Sequence, residues 1–165
     1  VMSRFHFGSQ NRNKDLSKQI MSIIRQENIP SELITIEITE SLFVEDIQLA
    51  KSIVNELRAE GVLVAIDDFG TGYSSLSYLK EFSADHIKID ISFIRDITTS
   101  QSDKAIVKAI VFIARELGME TIAEGIEKND QLRLVSELGC DIGQGMYWDF
   151  PLSAEEIMNK YLISK

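Results

Sequence analysis

One cysteine, Cys140, stands among 165 residues, so no internal disulfide can form and a reducing compartment is the simple expectation. Cys140 itself is expected to pack as a small apolar side chain. The sequence has no run of about 18 apolar residues, which leaves no candidate membrane span, and its first residues do not read as a secretory leader. A cytoplasmic domain is expected, in a parent chain that is free to be tethered to a membrane. Basic runs are scarce as well: 17 Lys and Arg stand against 26 Asp and Glu, a net charge of −9. That balance argues against a broad nucleic-acid face, DNA included. An acidic chain that handles an anionic substrate needs bound cations to do so. Hydrophobic residues at 44% and charged residues at 26% are ordinary globular values, and the length suffices for one good core.

From Leu33 onward a short β-rich run, a turn and a helical period recur. "LITIEI" alternates, with Ile34, Ile36 and Ile38 on one face and Thr35, Glu37 and Thr39 on the other. A helix follows with Ile47, Ala50, Val54 and Leu57 along one side, ended by Gly61. "VLVAI", a short helix over 74–82 and "HIKID" come next. A helix over 102–117 is predicted to bury Ile106, Ala109, Ile110 and Ile113 and to stop at Gly118. "METIAE", a helix over 128–138, "CDIGQG" and a final helix from Ser153, with Glu156 as capping-box partner, complete the chain. Residues 1 to 30 supply the end of one strand and a helix over 16–26.

Five βα units in this order predict a parallel sheet, either doubly wound or an arc of a (β/α)8 barrel. The polar residues favour the barrel. Glu37, Asp67, Asp68, Lys88, Asp90, Glu124 and Gln144 fall at or near the C-terminal ends of predicted strands, where barrel enzymes build their sites. A whole barrel needs over about 200 residues, so this chain is read as an incomplete (β/α)8 TIM-type barrel of five to six units.

The stretch "AIDDFGTGYSSL" at 65–76 concentrates the chemistry. Two adjacent carboxylates repel unless something positive lies beside them. With Glu37 and Glu124 on the same rim, they make an oxygen-rich site without a Cys or His cluster, which suits Mg²⁺, Mn²⁺ or Ca²⁺ rather than structural zinc. Asp67 and Asp68 can reach two metals at once, the arrangement that activates water and stabilises a leaving oxygen in phosphoester cleavage. Lys88 is the fixed cation of the rim, able to hold the attacking water or neutralise phosphoryl charge; the plainer alternative pairs it with Asp90 or Glu124. Glu127 and Gln144 are placed to orient water or brace the loops. "GTG" at 70–72 is a weak phosphate-cradle signal, and "DFG" at 68–70 lacks the strand lysine and glycine loop of a kinase. His6 and His86 are expected to pack or be solvated.

These residues closely resemble the EAL domain family, bacterial phosphodiesterases that hydrolyse cyclic di-GMP to linear pGpG. The resemblance rests on "EITES" at 37–41, "DDFGTGYSSL" at 67–76, "IKID" at 87–90, "AEGIE" at 123–127 and "GQG" at 143–145, and makes residues 1–165 a partial EAL domain. It implies that Glu37 is a metal ligand and that Glu40 anchors the "DFGTGYSS" loop. Asp67 and Asp68 match the aspartates that bind both metals, Mg²⁺ or Mn²⁺. Lys88 matches the lysine near the attacking water, Glu124 a further ligand, and Glu127 and Gln144 residues that support the site. The loop Phe69–Ser75 resembles the segment that couples the metal site to a homodimer interface, and sensory or GGDEF-type domains are expected in the parent.

Departures qualify the resemblance. The Glu-Ala-Leu motif of the family's first strand, which supplies a metal ligand and a phosphate-binding arginine, is absent from the chain, and Val1 stands where an Asn ligand is expected. In "GQGMYWDFP", Met146, Asp149 and Phe150 replace Tyr, Ser and a basic residue. The alternative to a phosphodiesterase is a degenerate or truncated module that binds cyclic di-GMP or a protein partner. An enolase-type barrel, with one Mg²⁺ and Lys88 as base, fits the adjacent aspartates less well.

Overall fold

The computed structural model describes residues 2–3, 15–39, 47–72, 79–80 and 82–162. Six strands form one sheet in sequential order, β1 (Met2–Ser3), β2 (Thr35–Thr39), β3 (Leu63–Phe69), β4 (His86–Ile89), β5 (Glu120–Ala123) and β6 (Ile142–Gly143). Every neighbouring pair is parallel. Parallel neighbours in sequential order need one crossover after each strand, and the sheet therefore curves as an arc of a (β/α)8 barrel, as the repeating pattern predicts. The crossovers carry α1 (Leu16–Gln26), α2 (Ile47–Ala59), α3 (Ile91–Arg95), α4 (Gln101–Glu116) and α5 (Asn129–Glu137), and α6 (Ala154–Ile157) follows β6.

Alternation along the strands divides the molecule into two faces. Ile34 just before β2, Ile36 and Ile38 from β2, Val64 and Ile66 from β3, and Ile87 and Ile89 from β4 pack under the helices in one continuous core. The helices answer with Ile20, Met21 and Ile24 of α1 and Ala50, Ile53, Val54 and Leu57 of α2. The opposite face carries polar residues that are nonetheless buried, Glu37, Asp67 and Lys88 among them.

On α4 the expected stripe is turned by one position. Val107, Ile110, Val111 and Ala114 are buried, while Ile106 is 37% exposed. Both sets satisfy helical spacing, and the contact of α4 with β4 and β5 decides which faces inward. Other sequence expectations hold in detail. Gly61, Gly118 and Gly139 follow α2, α4 and α5 with positive φ, as helix-terminating glycines do. Ser153 Oγ accepts from the Glu156 backbone N–H while the Glu156 carboxylate accepts from that of Ser153, the reciprocal capping box.

His86 packs inside β4, its Nε2 3.2 Å from Glu120 Oε2. Cys140 is half-buried; burial pushes its thiol pKa up against the hydrogen bonds it makes with its neighbours. No helix among the described residues is long and apolar enough to cross a membrane. Val1, His6, Glu40 and most of the expected 74–82 helix lie outside the described residues, as do positions 73–75 of the Phe69–Ser75 loop.

Candidate metal centre

Lys88 organises the rim. Its Nζ lies 2.6 Å from Glu37 Oε1, 3.0 Å from Asp67 Oδ1 and 2.5 Å from Glu124 Oε1. These groups come from β2, β3 and β4 and from the residue just after β5, so four consecutive strands each contribute one. Three carboxylates against one ammonium leave a formal charge of −2, with Lys88 and Asp67 almost inaccessible to water. Surplus charge in such surroundings is costly unless further cations share it.

Asp68 joins the group by an irregularity of the backbone. Adjacent residues on a regular strand point to opposite faces, which would send Asp68 away from Asp67. The pairing of β3 with β4 shifts register between Ile66 and Phe69, and Asp68 takes a left-handed φ of 54°. Such a bulge re-aims a side chain, and Asp is among the few residues that tolerate that conformation. Carboxylate oxygens of Asp67, Asp68 and Glu124 then lie within 4.8 Å of one another. With Asp68 the formal charge of the rim becomes −3.

Two titrations follow from the geometry. For Glu124, burial is the largest influence and, with the charges of Asp67 and Glu37, raises the carboxyl pKa against the lowering pull of the Lys88 hydrogen bond and charge. For Lys88, burial works to lower the pKa, but hydrogen bonds to Glu124, Glu37 and Asp67 and the charge of Glu124 hold the ammonium above the ordinary lysine value. The lysine therefore stays a cation within the rim.

The donor set fits a hard divalent cation. Glu37, Asp67, Asp68 and Glu124 offer oxygen alone, and oxygen donors select Mg²⁺, Mn²⁺ or Ca²⁺ over softer ions. Glu127 and Gln144 flank this cluster with exposed side chains, and their backbones are what ties them in. The Glu127 N–H donates to Gln131 Oε1 at 2.9 Å, the Gln144 N–H to Ala123 O at 2.9 Å, and the Ile126 N–H to Gln144 O at 3.0 Å. Asp90, offered by the sequence as a partner for Lys88, instead caps α3 by accepting the Ser92 N–H at 2.9 Å. Gln131 attracts no notice in the sequence and is buried beneath the loop that follows Glu124.

Comparison with known proteins adds context to this geometry. The family model described as EAL domain matches residues 7–151. The chain is 42% identical over 137 residues to the bifunctional diguanylate cyclase/cyclic di-GMP phosphodiesterase MucR of Pseudomonas aeruginosa, covering 83% of this chain and 20% of that protein. A solved structure of the MucR phosphodiesterase in complex with cyclic di-GMP superposes with TM-score 0.86 at 34% identity, covering 94% of this chain and 63% of that one. Klebsiella pneumoniae BlrP1, solved with manganese and cyclic di-GMP, gives TM-score 0.79 at 31% identity over 88% of this chain and 37% of its own. The chain spans 18% to 20% of the length of the first curated relatives it matches.

Proposed function

The chain belongs to the EAL domain family, and from that premise we propose that it forms part of a metal-dependent phosphodiesterase that hydrolyses cyclic di-GMP to linear pGpG. One observation carries the reading. A buried rim gathers three carboxylates onto a single ammonium and bends the backbone at Asp68 to add a fourth. A scaffold has no need of that surplus, whereas a centre for divalent cations does. Family members named as cyclic di-GMP phosphodiesterases and the manganese complex of BlrP1 support the same assignment.

In this reading Glu37, Asp67, Asp68 and Glu124 hold Mg²⁺ or Mn²⁺, which when bound lower the pKa of water and neutralise phosphate charge. The residues of the chain do the rest. Lys88, kept protonated by its three partners, presents a fixed positive charge to the phosphodiester and orients the attacking water. Asp67 and Asp68 hold their carboxylates on one side of the bulge, so the substrate phosphate approaches a preset arrangement. Glu127 and Gln144 would brace the two loops that border the rim, and the resemblance to the family would give Glu40 the anchoring of the Phe69–Ser75 loop and give that loop the coupling to a homodimer. Sensory or GGDEF-type domains of a longer parent would set when this happens.

The test is pGpG formation from cyclic di-GMP in Mg²⁺ or Mn²⁺, with Asp67→Ala as control. Product that the substitution abolishes supports the assignment; no product from the parent chain removes catalysis from it. A second reading, nucleotide binding without cleavage, draws on the Lys88 ammonium already seated against Glu37 and Glu124. Saturable cyclic di-GMP binding with no pGpG would favour it.

A further inference from the structure

Gln131 lies in the first turn of α5, 4% exposed, and its side-chain amide makes four hydrogen bonds. Oε1 accepts from the backbone N–H groups of Glu127 and Lys128, both at 2.9 Å. Nε2 donates to the carbonyls of Ile94 at 3.2 Å and Arg95 at 3.1 Å. The two carbonyls end α3, where intrahelical donors run out, and the Lys128 N–H precedes α5, where intrahelical acceptors are lacking. A primary amide has two donors and two lone pairs. Every one of them is committed, and all four partners are backbone.

The segment thus secured is Glu124 to Lys128, the loop that presents Glu124 to the rim. Packing alone does not join it to α3, because a cavity of about 120 Å³ bordered by Arg95, Gly125, Glu127 and Lys128 lies along the seam. At one point the two do meet closely: a Cβ on Gly125 would fall 2.2 Å from Ile91 Cγ1. Lys128 at the N-cap has no side-chain oxygen to offer the helix, so Gln131 reaching back to its N–H supplies half of a capping box. Local capping does not account for the bonds to Ile94 and Arg95, 37 and 36 residues away in sequence.

We infer that Gln131 is a positioning residue, whose amide clamps the Glu124–Lys128 loop to the end of α3 and thereby sets where Glu124 stands beside Lys88, Asp67 and Asp68. Its functional consequence rests on the metal-centre reading above; the clamp itself does not. Partners that hold a metal ligand in place typically contribute 10- to 100-fold to metal affinity.

The test uses the full chain with Gln131→Met, which fills the volume and makes none of the bonds. Val135→Ala, on the same buried side of α5, controls for general loosening of the helix. Without metal, amide hydrogen exchange at Glu127 and Lys128 should be about tenfold faster or more in Gln131→Met than in Val135→Ala. In a Mn²⁺ titration, Gln131→Met should weaken binding about tenfold and Val135→Ala should leave it unchanged. If Gln131→Met does not fold, Gln131→Asn, whose amide is one methylene short of its partners, carries the same comparison. Protected Glu127 and Lys128 amides in a folded variant overturn the clamp, as does equal loss of Mn²⁺ affinity in the variant and its control. A parent chain that binds no Mn²⁺ defeats the metal-centre reading instead, and the exchange rates then decide the clamp alone.

Discussion

Lys88 Nζ and Glu124 Oε1 stand 2.5 Å apart, the shortest of the three ion pairs through which Lys88 holds the rim together. This pair and the contacts to Glu37 and Asp67 mean that the lysine balances charge on three strands at once. Removing the ammonium should be more damaging than removing any single acid.

Lys88→Met tests that inequality. Breaking a buried ion pair by deleting one partner costs about 3 to 5 kcal/mol, and here the deletion strands three carboxylates. Urea unfolding in EDTA should show a loss in that range. Mn²⁺ should restore part of it, because a bound cation does the electrostatic work of the lost ammonium. A variant as stable as the parent in EDTA would show that the carboxylates are neutral without Lys88.

The raised pKa of Glu124 gives a pH test with a definite sign. Above the ordinary glutamate value and below its own raised value, Glu124 binds more protons in the native state than in the unfolded one. Stability therefore falls as pH rises through that window. Relative to Glu124→Gln, which mimics the protonated carboxyl, the parent should lose stability with rising pH in EDTA. In Mn²⁺ the slope should reverse, since metal competes with the proton for the same oxygens and binds better as the proton leaves. Thermal melts of both chains across the window, with and without Mn²⁺, read the two slopes; parallel slopes in the two buffers would remove Glu124 from the metal site.

Two glycines make a contrasting pair. Gly125 has φ 73° and a Cβ there would meet the Ile91 side chain at 2.2 Å, whereas a Cβ on Gly145 would meet the Ile126 backbone carbonyl oxygen at 2.1 Å. Gly125→Ala should cost about 2 to 4 kcal/mol, combining overpacking with a strained backbone. Adding Ile91→Ala should recover the overpacking share. Gly145→Ala should be at least as damaging and gain nothing from Ile126→Ala, because the obstacle is main chain. A double-mutant cycle at each site measures the difference, and equal rescue at both would contradict these packing distances.

Much of this arrangement is legible in the sequence because it follows from simple periods. Alternation in "LITIEI" and "HIKID" puts Glu37 and Lys88 on the face away from the isoleucines, and the even βα rhythm makes the sheet parallel, as the structure shows. What stays hidden depends on contacts between distant segments. The choice of Val107 and Val111 over Ile106 on α4 is made by the strands beneath it. Gln131 escapes notice because the usual capping signature needs a Ser or Thr three residues earlier, and Lys128 stands there. The left-handed turn at Asp68 leaves no period at all, and only the unease of two adjacent aspartates hints at it.

That turn can be separated from the charge it carries. Asn tolerates the left-handed region at least as well as Asp, so Asp68→Asn should keep the bulge and fold with stability within about 0.5 kcal/mol of the parent in EDTA. Its Mn²⁺ affinity should nonetheless fall about tenfold or more, since an amide oxygen replaces an anionic one and affinity for hard cations follows the charge count of the donors. Asp68→Val should lose stability even without metal, by about 1 to 2 kcal/mol, because a β-branched residue resists φ 54°. Unfolding curves and Mn²⁺ titrations of the two variants read backbone and charge independently. If Asp68→Asn binds Mn²⁺ as the parent does, the bulge serves the loop beyond it and the second aspartate is no ligand; the burden of the metal then falls on Glu37, Asp67 and Glu124.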